Sequence, residues 1–177
     1  MSNKLPSRKQ TLQLLDESGC QANVIKHCIA VAKLAVKTAK TIKKKGLPID
    51  LEIVERGALL HDIGRSRTHS IDHVIEGVKI AEDNGLPISI VNIIRRHVGG
   101  GITLEEAEEL GWPTSDTYIP MTLEEKVVSY ADKIIDNGHR IPVELTIKQF
   151  RDMGLPEAAE RIAKLHEEII VLGGDCP

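Results

Sequence analysis

A chain of 177 residues, 41% hydrophobic and 28% charged, is long enough to bury one sizeable core and short for two. Its net charge of −3 gives no overall attraction for a polyanion, and Phe150, Trp112, Tyr118 and Tyr130 are its only aromatics. So few rings leave almost nothing on which to stack bases, and a nucleic-acid partner is not expected.

Hydrophobic residues recur with helical period along nearly the whole chain. After Ser7, "RKQTLQLLDESG" predicts a short helix stopped at Gly19. A longer helix spans about 22–45, with Val24, His27, Val31, Leu34, Thr38 and Ile42 on one stripe. It closes on "KKKG", cations and a glycine at the negative end of the dipole. Asp50 caps "LEIVERGALLHDI", which Gly64 is expected to end. Ser70 opens "IDHVIEGVKIAEDNG" and Pro87 opens "ISIVNIIRRHV". The "GGG" at 99–101 reads as a flexible hinge. The 102–120 segment, a short helix followed by loop with Trp112 between, is placed as a lid able to contact a base. Thr122 and Glu125 form a capping box for "LEEKVVSYADKIIDNG", and "VELTIKQFRDMG" and "PEAAERIAKLHEEIIVLGG" complete the chain.

No run alternates with the strand period and no repeat is visible. The expectation is an all-α single domain over residues 1–177, with a motif core at about 20–140 and C-terminal helices at about 143–172. Cys20, Cys28 and Cys176 are odd in number and lack CxxC spacing, so neither a disulfide framework nor a thiolate zinc site is suggested. No stretch is apolar enough for a secretory leader or a membrane span, and the chain reads as cytoplasmic with reduced thiols. The sequence carries no cue to an oligomeric state.

Several polar residues sit on apolar stripes. His27, His61, His97 and Asp132 each fall among aliphatic neighbours, Asp62 flanks His61, and His73 shares a face with Gly77, where another helix can approach closely. Buried carboxylates and imidazoles are costly unless paired or bound to metal. Six of them on five helices point to one shared cation site between core helices.

In this order, His27, His61-Asp62, His73, His97, Asp132, the chain resembles the HD-domain metal-dependent phosphohydrolase superfamily. "VIKHCIAVAKLA" is similar to the family's first-histidine helix, "ALLHDIGR" to its "LLHDIGK" motif and "VSYADKIID" to the closing Asp helix. "HVIEGVKIA" and "IIRRHVGGG" fall where further histidines occur in some branches. The resemblance implies an HD-domain-like helical bundle. Its minimal set, His27, His61, Asp62 and Asp132, holds one ion; His73 and His97 match two-metal branches, with Asp62 as the bridge. Those branches include enzymes cleaving diadenosine tetraphosphate and cyclic-dinucleotide phosphodiesterases. This sequence departs from the latter in having Arg96-His97 rather than a His pair and no GYP motif.

Imidazole and carboxylate ligands without thiolate suit Fe, Mn, Co, Ni, Zn or Mg. Such an ion lowers the pKa of a coordinated water to roughly 7, and two ions steady phosphate oxygens. The expected activity is therefore hydrolysis of a phosphate ester or anhydride, of a nucleotide or another small phosphorylated molecule. Arg65, where the family has lysine, and Arg96 and Lys133 are candidate phosphate contacts, with Arg65 and Asp62 as candidate catalytic residues. His69, His139 and His166 read as surface or core-edge histidines, His69 with the option of neighbouring the entrance. A di-iron oxygenase and a non-catalytic metal- or nucleotide-binding regulatory module are the competing readings.

Overall fold

In the computed structural model, which describes residues 4–174, the longest helix acts as a central post. This helix, α2 (Ala22–Lys44), follows α1 (Arg8–Glu17). Its buried stripe, Val24, Cys28, Val31, Ala35, Ala39 and Ile42, keeps the three-to-four spacing of one helical face. Against it lie α3 (Leu51–Leu60) and α7 (Leu123–Lys133), while α4 (His73–Asp83) and α5 (Ile88–Arg96) pack on each other and α5 on α3. A short α6 (Leu104–Glu109) precedes α7, and the C-terminal pair, α8 (Val143–Asp152) and α9 (Pro156–Val171), returns to cover α7. Cys176 lies outside the described residues. No described helix is long and apolar enough to cross a membrane.

The core is aliphatic, as the shortage of rings requires. Ile42, Val54, Leu59, Val128, Ile162 and Ile169 form one cluster; Leu15, Cys28, Leu60, Ile63, Ile90 and Ile94 form another. Each fully buried Leu or Ile contributes about 1.5–3 kcal/mol through removal from water. Cys28 is a packing residue here, fully buried in the second cluster. The caps hold as expected: Asp50 accepts from Glu52 N (2.9 Å) and Ile53 N (3.2 Å), and Thr122 and Glu125 form a reciprocal box.

Four expectations are corrected. Gly64 does not stop a helix running to Ile63: α3 ends at Leu60, and Ile63–Ser66 form a 3-10 turn. Glycine is required at 64 for another reason. A Cβ there would lie 1.8 Å from His73 O and 2.5 Å from Gly77 N, so only a bare backbone lets this turn rest on the first turns of α4. The last motif helix stops at Lys133, and Ile135–Asp136 pairs antiparallel with His139–Arg140. Asn137 (φ 48°) and Gly138 (φ 79°) are both left-handed, as a two-residue hairpin turn demands and as an Asn-Gly pair favours. Two-residue strands are too short to leave a period-two trace.

The 99–101 glycines are buried rather than a loose hinge, packed against Arg161, Ile162 and Ile119. Nor is the 102–120 segment an open lid. Ile102 bridges Tyr118, whose ring lies 5.1 Å from that of Trp112, and the Trp112 indole donates to Asp72 Oδ1 (2.8 Å). Trp112 is 6% exposed, so its ring is spent on packing over the start of α4.

Gly64→Ala is expected to cost about 3 kcal/mol or more in urea unfolding, because the added carbon meets backbone that cannot yield. Gly46→Ala, left-handed but with open space around it, should cost only about 1 kcal/mol.

Candidate metal centre

Five elements deliver the six polar residues to one point. His27 lies in the second turn of α2, His61 caps the C-terminus of α3 and Asp62 follows it; His73 opens α4, His97 caps α5 and Asp132 lies in the last turn of α7. Their ligand atoms form three overlapping triads, His27–His61–Asp62, His61–His97–Asp132 and Asp62–His73–His97, each with all atoms within 4.8 Å.

Three of the rings are oriented by the same device. Nδ1 of His61, His73 and His97 faces the carbonyl oxygen three residues back, at Ala58 (2.7 Å), Ser70 (2.8 Å) and Ile94 (2.8 Å). A ring nitrogen aimed at a carbonyl must carry the proton, so in the neutral ring Nε2 presents its lone pair inward. His73 Nε2 and His97 Nε2 stand 3.2 Å apart, and Asp62 Oδ1 lies 3.1 and 3.5 Å from them. His61 Nε2 and Asp62 Oδ1 are buried without a hydrogen bond of good geometry. Like-polarity atoms so placed repel unless a proton or a cation lies between them. Ligand nitrogens about 2.0–2.1 Å from one ion sit roughly 3–3.4 Å from each other, so the spacing and donor set fit a divalent metal.

Asp62 stands between two ligand sets. Its Oδ1 faces His73 and His97, whereas its Oδ2 faces His27 (3.9 Å) and His61 (3.7 Å). Asp132 Oδ1 meets His27 Nε2 (2.9 Å) and His61 Nε2 (3.3 Å). Burial resists ionisation of both carboxyls, yet the neighbouring groups win. His61, with His73 and His97, holds Asp62 well below the usual carboxylate range, and Lys133 foremost, with His61, does so for Asp132. Burial likewise opposes charge on His61, but Asp62, with Cys28 and Asp132, raises its pKa well above the ordinary value. For His97, burial dominates and lowers the pKa to about 4, leaving a neutral ring near pH 7.

The site opens into a cleft of about 460 Å³ that reaches His27, Asp62 and Asp132 but leaves His73 and His97 behind Asp62. Arg65 and Lys133 line it. Arg65 Nε donates to Asp62 Oδ2 (2.7 Å), and Lys133 pairs with Asp132 Oδ2. Arg96, expected at the cleft, is elsewhere: its guanidinium holds both oxygens of Glu125 (2.9 Å each) and Thr117 O (3.0 Å). Glu125 accepts in turn from the backbone of Met121 and Thr122, so Arg96 fastens the 117–122 loop. Arg95 is also buried, against Asn92 and Glu82.

A model of the HD domain family matches residues 24–137, more than half of the chain. The chain belongs to the HD domain family. An uncharacterised protein of Methanocaldococcus jannaschii is 45% identical over 85% of this HD chain and 89% of its own length. A tRNA (cytidine(56)-2'-O)-methyltransferase of Picrophilus torridus is 39% identical over 96% of the chain. The chain spans only 48% of that protein's length. Among solved structures, the HD domain of the L. monocytogenes phosphodiesterase PgpH, in complex with cyclic-di-AMP, shares the fold. Its TM-score is 0.56 at 17% identity, covering 93% of this chain and 96% of that one.

Sequence reasoning missed the far wall of the cleft. Thr146, Gln149 and Phe150 of α8 line it, with Ile135, Asp136 and Ile141 around the hairpin and Asn23 from α2. Nothing in the period of "VELTIKQFRDMG" says that this helix folds back over the site. His69 lines the mouth, as one option allowed, whereas His139 is exposed on the hairpin and His166 pairs with Tyr130 OH (2.9 Å) away from the cleft.

Because the proton on His61 and a metal compete for the same nitrogen, ion binding should release about one proton. Affinity for Mn²⁺ or Zn²⁺ should accordingly rise with pH from about 6 to about 8, read by calorimetry in buffers of different ionisation enthalpy. Proton-neutral binding over that range would contradict it.

Proposed function

We propose that this HD-domain protein is a metal-dependent phosphohydrolase cleaving a phosphate ester or anhydride of a nucleotide or other small phosphorylated molecule. The observation that carries the reading is Asp62. Its two oxygens face two imidazole sets at the floor of a cleft, while Arg65 and Lys133 flank the same floor. His27, His61, Asp62 and Asp132 would hold one ion, and His73 and His97 with Asp62 would hold a second. Fe, Mn, Co, Ni, Zn and Mg all accept this donor set.

The bound ion supplies an acidified water and neutralisation of charge on the phosphoryl oxygens. The chain's own residues do the rest. Asp62 and Asp132 enter as carboxylates near neutral pH, since both titrate well below their usual range. Once these carboxylates are committed to a cation, Arg65 and Lys133 lose their counter-charges and are left to meet the phosphate, Arg65 through a planar fork suited to two oxygens. Val24, Ile135, Ile141 and Phe150 give the cleft an apolar side for the rest of the substrate, and its volume is that of a small-molecule site. The nucleotide reading gains support from the cyclic-di-AMP complex of the PgpH HD domain, which is a likeness of fold.

With Mn²⁺, Co²⁺ or Fe²⁺ the protein is expected to release phosphate or a phosphomonoester from a panel of nucleotides and phosphoanhydrides. His61→Ala and Asp62→Ala should each lower kcat/KM by about 10³ or more, and Arg65→Ala by about 10–100-fold. Full activity in both of the first two variants would end the assignment.

A further inference from the structure

The net charge of −3 conceals a segregated charge distribution. From Ser18 to Ile49 there is no Asp or Glu, so all 26 acidic residues lie outside the stretch that carries Lys26, Lys33, Lys37, Lys40, Lys43, Lys44 and Lys45. At 100° per residue, Lys26, Lys33, Lys37, Lys40 and Lys44 fall within about 60° of one another on the outer face of α2. All five are exposed. They form a ridge about 27 Å long, with one lysine per turn from Lys33 to Lys44.

Beside the ridge runs a groove of about 380 Å³, bordered by Arg8, Lys33, Lys37 and Lys40, with Ile29, Ala32 and Val36 among its lining. Its acidic residue, Glu55, is consumed by Arg8 (3.1 Å) and Arg56. At the other end the ridge runs into the cleft. Lys26 precedes His27, Asn23 and Val24 line the cleft, and the Lys26 Cε approaches the hairpin at Gly138.

From this geometry we infer that the outer face of α2 binds a polynucleotide backbone and leads it to the cleft. A line of cations one turn apart cannot converge on a single phosphate, but it matches a polymer that carries one phosphate per unit. Lack of aromatics removes base stacking and leaves backbone contact, so binding is sequence-independent and salt-sensitive. A membrane surface fits less well. An interfacial helix buries its apolar face in lipid, whereas that face of α2 is inside the protein core, and Ile29, 39% exposed, is the only large apolar side chain α2 exposes. The inference takes from the proposed hydrolase only the direction of the strand; the binding itself does not depend on turnover.

The test is fluorescence anisotropy with the full chain and labelled 20-nucleotide RNA and DNA, titrated with salt and with EDTA present so that nothing is cleaved. Wild type should bind with a slope of log K on log salt of about −3.5, five contacts at roughly 0.7 each. Lys33→Gln/Lys37→Gln/Lys40→Gln should weaken binding at least about tenfold and make the slope shallower by about 2, while metal-loaded hydrolysis of a mononucleotide stays unchanged. The tighter of the two strands identifies the natural polymer. The inference is overturned if neither strand binds at low salt or if the triple variant keeps the wild-type slope. Phosphatidylserine vesicles or polyglutamate competing as well as RNA and DNA at equal charge would also overturn it. Loss of mononucleotide hydrolysis in wild type with strand binding intact would sink the hydrolase reading alone.

Discussion

Lone pairs pointed at one another are the constraint on which this structure turns. The Nε2 atoms of His73 and His97 stand 3.2 Å apart with Asp62 Oδ1 beside them, and the carboxylates of Asp62 and Asp132 crowd His61. In a dry aliphatic interior such an arrangement is unfavourable by itself, and it becomes favourable only with positive charge inside it. The protein supplies part of that charge from the rim, through Arg65 and Lys133, and part through a protonated His61.

The fold secures this geometry by backbone means. His61 and His97 are fixed by carbonyls in the last turn of their own helices, and His73 by Ser70 O in the turn before α4, so their aim is set by where each helix stops or starts rather than by long side-chain networks. Contact between the turn at Gly64 and the start of α4 at Gly77 then brings His73 to Asp62 with no side chain in between. Trp112, through Asp72, and the Arg96–Glu125 pair serve the same end from outside, steadying the start of α4 and the loop before α7.

The six clustered residues were legible because each breaks a pattern: a histidine or aspartate in an aliphatic stripe is conspicuous, and six in family order are specific. The helices were legible for the same reason, down to the caps at Asp50 and Thr122. Arg96 was misread because a cation adjacent to His97 in sequence lies about 100° away on the helix, and Glu125, its actual partner, is 29 residues on. The end of α7 was misread although Asn137-Gly138 stood in plain view, since a helical period was extended over a hairpin turn. The 102–120 segment reads as a lid by position alone, while the burial of its Trp112 depends on Tyr118 and Asp72, which no local spacing reveals. The net charge, an average, hid the acid-free stretch around α2.

The family match ends at residue 137, yet the wall opposite the His–Asp cage is built from Thr146, Gln149 and Phe150 of α8. Cage and wall therefore answer to different stretches of chain, joined by a hairpin and by the Thr146 hydroxyl bonded to Lys133 O at 2.6 Å. Exchange of a few residues on one amphipathic helix can recut the shape of the chamber while the chemistry at its floor stays untouched. Related proteins with the same inner residues are thus free to diverge in what they admit.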